Sequence, residues 1–465
     1  NESDISAPEL IESYVGDPET RIILAYLEGV SDGRALMRAA RRALAARKPL
    51  VVLKAGNTEQ GRRAAASHTA NLTGDYNIYR AAFRQCGVLE VHDLDEAADV
   101  TLCLLNGRLP AGRNVAVMGG SGGAAALFSD QADELGLRMP PFSERTLDVL
   151  KRSLPPLSSL KNPVDYTAGY PRSAPGLDFQ RAFDAVLHDP GIDQLAVMFA
   201  AAGRSQLEAG GELLGKAATI SGKPIVVFSG MSEEIAPEGL GLLRKAALPV
   251  LASPKRVAVA MAKLTEYAMT LERREHANEP KGARVIRPQL PGGAATLDEH
   301  ESKLIIAAAG VPVSRDWLIA LEANPAVPTD IVFPVAVKIV SRDIAHKTDI
   351  GAVRLNVTDR AELEAAFPEI VRNVRRAKPS ARLSGMLVSE MVTDGLETII
   401  GVVNDAVFGP VVALGLGGVL VEALKDVSYR IVPFGLDEAR AMIGDRKSTR
   451  LNSSHMSESR MPSSA

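Results

Sequence analysis

The chain has 465 residues, of which 46% are hydrophobic and 23% charged, with a formal net charge of −3. Its length suits about three domains and its apolar content several packed cores, while the near-neutral charge excludes the basic footprint of a nucleic-acid-binding protein. No run approaches the ~18 apolar residues of a membrane span, and the two cysteines, Cys86 and Cys103, exclude a disulfide framework and read as small core residues of a cytoplasmic protein.

The opening residues Asn-Glu-Ser-Asp carry neither Met nor a basic and apolar leader, so no signal peptide is expected and the chain reads as a piece of a longer one. Residues 21–27 and 49–53 are apolar runs of strand length, and between them 33–47 has the spacing of a basic amphipathic helix, which makes a βαβ unit. A Gly-, Asn- and Thr-rich stretch at 56–74 leads to a helix at 75–86, a strand at 88–91 and a helix at 93–105. The grammar restarts with a strand at 114–118, a glycine turn at 119–123 and a helix at 124–136, then strands at 195–200 and 224–228 around a helix at 206–221. The α/β repetition predicts two doubly wound domains, at 1–110 and 111–270.

Residues 271–295 are charged, aperiodic and rich in Pro and Gly, and read as a linker. A third domain at 296–444 has a different grammar: a helix at 297–309, long strands at 333–340, 385–392 and 397–403, and a helix at 360–376. The Ser- and Arg-rich residues 445–465 lack any apolar period and read as a non-native tail with few tertiary contacts, so His455 is set aside.

Four places can carry chemistry. His68 sits in SHTANLTG among small, turn-forming residues, where a neutral imidazole can act as a nucleophile, and Glu28, at the carboxyl end of the first strand, can hold its tautomer. The turn Gly119-Gly120-Ser121-Gly122-Gly123 joins a strand to a helix N-terminus, an arrangement that attracts anions. The same letters match the nucleophile elbow G-x-S-x-G of an α/β-hydrolase with Ser121 as nucleophile, although His188 and His276 are poorly placed to complete it.

The third place is DIAHKTDIGAV after FPVAVKIVS: Lys338 on an apolar strand needs an anionic partner, and His346 follows in a polar loop. Glu390 and Glu397 are strand acids able to meet adenine or ribose groups. In the fourth, GLGGVLVEALKDVSYR, Gly417 and Gly418 can admit a phosphate, and Glu422, Lys425 and Asp426 share one side if the segment is helical.

In order and spacing, NESD, DPETRIILAYLEG, KPLVVLKAG, AAASHTANLTG, KNPVDYTAG, FPVAVKIVSRDIAHKTDIGAV and FGPVVALGLGGVLVEALKDVSYR resemble the NDP-forming acyl-CoA synthetases, relatives of succinyl-CoA synthetase. The resemblance implies two flavodoxin-like domains and a partial ATP-grasp domain. It implies a phosphorylated His68 supported by Glu28, a second phosphoryl carrier at His346, and nucleotide contacts at Lys338, Glu390 and Glu397. The implied reaction joins a carboxylic acid to CoA with ATP, giving acyl-CoA, ADP and phosphate with magnesium, in a parent that is a homo-oligomer. The CoA-binding domain is expected before residue 1 and the magnesium-binding Asn and Asp beyond residue 444. Ala70 and Ala352 stand where this family usually has glycine, which puts loop flexibility in question. The same domain set also occurs as a non-catalytic sensor in protein acetyltransferases, typically without the relay histidine; His68 and His346 favour the ligase.

Overall fold

The computed structural model describes residues 4–61, 63, 74–166, 177–200, 203–276, 297–322, 326–344, 347–392, 394–417 and 427–445. They fall into two compact units, one of residues 1–278 with 398–465 and the other of residues 279–397. Among them, no helix is long and apolar enough to cross a membrane.

The first unit opens with α1 (Ala7–Gly16), β1 (Ile23–Leu27), α2 (Gly33–Ala45) and β2 (Leu50–Lys54), then α3 (Tyr76–Cys86), β3 (Leu89–Val91) and α4 (Leu94–Leu105). The strands form a parallel sheet in the order β1-β2-β3. Helix α2 starts at Asp32, whose carboxylate accepts the Ala35 N–H at 2.8 Å. It buries Leu36, Met37, Ala39, Ala40, Ala43 and Leu44 and leaves Arg38 and Arg42 in water.

A second parallel sheet follows, from β4 (Val115–Gly119), β5 (Val164–Asp165), β6 (Gln194–Phe199), β7 (Ile225–Ser229) and β8 (Val250–Leu251), ordered β5-β4-β6-β7-β8. Between them run α5 (Gly122–Glu134), α6 (Glu144–Ser153), α7 (Phe179–Leu187), α8 (Arg204–Ile220) and α9 (Pro237–Lys245), and α10 (Pro254–His276) closes the run. Strands β4, β6 and β7 are buried throughout, as a sheet covered on both faces requires. These separate three- and five-stranded sheets exclude one continuous hydrolase sheet over 1–270.

One apolar cluster joins the two sheets: Val51, Leu89, Val91, Val100 and Cys103 pack with Val115, Phe128, Val257, Met261 and Leu264. Helix α10 runs to His276, so the segment read as a linker from 271 begins as helix. Burial pushes the Cys86 thiol up to about 11 and raises that of Cys103 further, in keeping with core roles.

The second unit holds α11 (Glu299–Ala308), β9 (Asp316–Ile319), β10 (Val335–Val340), β11 (Val353–Val357), α12 (Arg360–Ala377) and β12 (Gly385–Glu390). Its antiparallel sheet has the order β11-β10-β12-β9. Alternate residues Val335, Val337, Ile339, Met386 and Val388 pack with Leu363, Phe367 and Ile370 of α12.

Strands β13 (Thr398–Asp405), β14 (Gly409–Leu416) and β15 (Ser428–Ile431), with α13 (Leu436–Gly444), pack as part of the first unit. Phe408, in the β13–β14 turn, is 1% exposed and meets Tyr79 edge-on at 4.9 Å. A Cβ on Gly33 would stand 2.4 Å from the Phe408 ring, so only glycine lets the turn seat against α2. Gln85 donates to the Ile431 carbonyl and accepts its N–H, at 3.1 and 2.8 Å. Asp445, assigned by sequence to the tail, accepts hydrogen bonds from the buried Arg430 and pairs with Arg84 at 2.6 Å. It is part of the fold, and residues 446–465 lie outside the described residues.

Candidate functional site

Parallel strands gather functional groups at their carboxyl ends, and both sheets of the first unit do so. Glu28 follows β1 directly, is half-buried, and accepts a hydrogen bond from the Tyr26 hydroxyl at 3.4 Å. The neighbouring β2 ends at Lys54 and leads toward the SHTANLTG segment. His68 and Ala70 lie outside the described residues, so the Glu28–His68 contact predicted from sequence is not among the described contacts.

Sequence reasoning missed Lys54. It pairs with Leu27 across β1 and β2 and is 2% exposed. Its Nζ donates to the Glu28 carbonyl at 2.7 Å and to the Ala55 carbonyl, 4.7 Å from the Tyr79 ring centroid. Burial lowers its pKa to about 8, against the opposing pull of Glu28 and Glu90. The signal was available: a lysine inside the apolar run KPLVVLKAG poses the same burial problem as Lys338.

In the second sheet Gly119 ends β4, and a Cβ there would stand 2.7 Å from the Met198 Cβ. The turn then opens α5, where the Ser121 hydroxyl caps the helix by accepting the Ala124 N–H at 3.3 Å. Ser121 therefore acts as an N-cap, and the hydrolase reading loses its nucleophile's role. The register Gly119↔Asp165 brings KNPVD beside this turn, with an Asp165 carboxylate oxygen 3.0 Å from where a Cβ of Gly122 would lie. Gly119 to Gly123 thus present a strand-to-helix turn flanked by an acid.

In the second unit the register separates two predicted nucleotide contacts. Lys338 pairs with Leu387 and Glu390 with Val335, so their side chains leave opposite faces of the sheet. Glu390 is exposed at the end of β12 and its N–H donates to the Arg315 carbonyl at 2.9 Å; Glu397 is exposed too. The anionic partner that Lys338 requires is a protein carboxylate: Glu299, in the first turn of α11, accepts from its Nζ at 2.7 Å. Lys347 stands 3.5 Å from the other Glu299 oxygen, bringing a second ammonium to that carboxylate. Burial would raise the Glu299 pKa, but Lys338, Lys347 and Lys303 outweigh it and hold the carboxyl below its ordinary value.

His346 lies outside the described residues. The Lys347 carbonyl accepts the N–H of Ala352, which is fully buried. The positive φ in this turn, 64°, belongs to Gly351, so alanine at 352 carries no left-handed strain. Gly417 is buried after β14 in the first unit, whereas Gly418, Glu422, Lys425 and Asp426 lie outside the described residues. Among the described residues, no group of three or more His, Cys, Asp or Glu is placed to hold a metal ion.

Comparison with known proteins accounts for this layout. Residues 1–104 match the succinyl-CoA ligase-like flavodoxin domain, and residues 289–463 match the ATP-grasp domain. The ADP-forming acetate–CoA ligase I of Archaeoglobus fulgidus is 36% identical over 97% of this chain and 65% of its own length. A trans-feruloyl-CoA synthase from an unknown prokaryotic organism is 32% identical over 92% of the chain and 60% of its own. The structure of acetyl-coenzyme A synthetase 1 of Ca. Korarchaeum cryptofilum with phosphate and ADP aligns at a TM-score of 0.52 and 28% identity, covering 59% of each chain. The chain spans less than two thirds of the length of these curated relatives, 65% of one and 60% of the other. It belongs to the family of ADP-forming acid–CoA ligases, with that family's flavodoxin-like and ATP-grasp domains.

Proposed function

We propose that the chain is the phosphoryl-transferring portion of an acid–CoA ligase that uses ATP and releases ADP and phosphate. The observation that carries this reading is the placement of Glu28 at the carboxyl end of β1, beside the strand whose exit leads to SHTANLTG. The names of the relatives support the reaction class, and the ADP and phosphate bound by the Korarchaeum enzyme support the nucleotide.

In the ligation direction an imidazole nitrogen of His68 attacks the γ-phosphorus of ATP, the bond to the bridging oxygen breaks, and ADP leaves. The phosphoryl group passes to the carboxylate of the acid, forming an acyl phosphate and freeing the imidazole. The CoA thiolate attacks the acyl carbon and expels phosphate. Splitting one difficult transfer into smaller ones is the value of the covalent relay; where the reach of His68 ends, His346 takes the phosphoryl group from ATP in its place and hands it on to His68. Glu28 holds the imidazole tautomer, and Lys338 meets the nucleotide phosphates. The turn at Gly119 to Gly123 offers helix N–H groups to the phosphoryl oxygens. Magnesium would neutralise phosphate charge, but the described residues supply no ligand set for it, so no step is assigned to the metal. Retention of both histidines favours this reading over the sensor one.

The test is incubation with magnesium and ATP labelled at the γ-phosphate. Acid-labile, base-stable label on His68 is expected, with loss of that label in His68→Ala; label that persists in the variant removes His68 from the relay.

A further inference from the structure

We infer that Lys54 is a positioning residue for the relay: its ammonium ties the turn bearing Glu28 to the turn that leaves β2 toward the histidine segment. This rests on the relay reading above, and it is argued only from residues flanking that segment.

Three chain segments converge on one buried cation and one ring. Lys54 Nζ donates to Glu28 O at 2.7 Å and to Ala55 O, bridging the exits of β1 and β2. Below it lies Tyr79, whose hydroxyl accepts the Val30 N–H at 3.0 Å and so holds the same turn two residues further on. Gly74, the last residue of SHTANLTG, has φ +62°, and a Cβ there would stand 2.8 Å from the Tyr79 ring. Tyr79 itself is 0% exposed and is wedged by Phe408. The entry side of the segment, its exit and the acid's backbone are therefore referenced to one Lys54–Tyr79 pair.

Burying a lysine is costly unless its donors are used. A methionine would fill the same space without that cost, so packing alone does not call for an ammonium here. What the ammonium adds is direction: it fixes two carbonyls, and through them the place from which the Glu28 carboxylate departs. Misplacing a group by about 1 Å can cost about 100-fold in rate. The charged groups facing Lys54 are Glu28 after β1 and Glu90 on β3. Glu90 is in turn engaged by Tyr76 and by Arg80 at 3.8 Å, leaving Glu28 as the acid whose setting Lys54 controls.

The experiment compares the full chain with Lys54→Met and Lys54→Arg. Hydrogen exchange reads the tether directly: faster exchange, about tenfold, is expected at the amides of residues 28–31 and 55–61 in Lys54→Met, with α2 and β4 unchanged. Labelling of His68 by magnesium and ATP reads the role. Lys54→Met should slow it about tenfold at pH 7, and Lys54→Arg should restore part of the rate. Unchanged exchange in Lys54→Met overturns the tether. Altered exchange with labelling equal to wild type at pH 7 overturns the positioning role. A wild-type chain that takes no label overturns the relay reading and this role with it. If Lys54→Met does not fold, Lys54→Arg and Tyr79→Phe carry the same two measurements; wild-type exchange and labelling in Tyr79→Phe then overturn the inference.

Discussion

Glu299 and Lys338 form an ion pair of 2.7 Å between the first turn of α11 and the middle of β10, and Lys347 faces the same carboxylate at 3.5 Å. The pair gives the ammonium of an otherwise apolar strand its anionic partner while leaving it about one quarter exposed. A phosphate arriving there exchanges one anionic partner for another. Replacing Lys338 with Ala is expected to weaken ATP binding at least tenfold, since a hydrogen bond to a charged group is worth about 1.5–3 kcal/mol. Stability should fall by only about 1 kcal/mol, because the pair is partly solvated. Calorimetric titration beside urea unfolding reads both, and ATP affinity within twofold of wild type would remove Lys338 from the nucleotide site.

The pH dependence of the second unit follows from Glu299. Its carboxyl lies below the ordinary range in the folded chain, so its contribution to stability is complete above the unfolded value of about 4.3 and disappears as pH falls through the folded value. Glu299→Gln should therefore cost about 1 kcal/mol at pH 7, and the gap to wild type should shrink on acidification. A gap that stays constant down to pH 3 would show that the carboxylate charge contributes nothing.

Phe408→Ala should destabilise the first unit by about 3–5 kcal/mol, the usual cost of emptying a buried aromatic site, and loosen β13 to β15 from α2 and α3. Gly33→Ala attacks the same contact from the other side, because its methyl would overlap the Phe408 ring. Hydrogen exchange should rise first in β14 and β15 in both variants. Protection equal to wild type would mean that the turn docks by other contacts.

Asp445→Ala leaves Arg430, which is 1% exposed, with Glu438 as its remaining carboxylate. A loss of about 2 kcal/mol is expected. Stability equal to wild type in guanidinium unfolding would return Asp445 to the tail.

Much of the α/β layout was legible because parallel strands with covered faces leave short apolar runs, and helices between them keep their period. The strands around Val51, Val117 and Val227 and the helix at 33–45 follow from that alone. Pairing was harder to read. Whether Lys338 and Glu390 share a face depends on the offset between β10 and β12, which the two segments do not encode separately. Residues 397–403 were read as a strand, yet nothing in ETIIGVVNDAVFGPVVALGL states which core receives Phe408. Asp445 was misread because a charged residue after the last apolar period resembles a tail; its buried partner Arg430 lies 15 positions earlier. The alanine at 352 carries no left-handed strain, since the left-handed residue is its neighbour Gly351.

The Gln85–Ile431 contact spans 346 positions, and with Phe408 and Val411 it closes a core that otherwise comes from the first hundred residues. During synthesis at about 5–20 residues per second, the groove between α2 and α3 waits on the order of tens of seconds for its cover. Ribosome-bound chains ending near residue 280 should therefore be cleaved by protease around Tyr79 and Phe83, and those extended past Ile431 and clear of the exit tunnel should resist. The nascent chain thus carries an unfinished hydrophobic surface while residues 89 to 431 are made, a client interval in which a holding chaperone would protect it from aggregation.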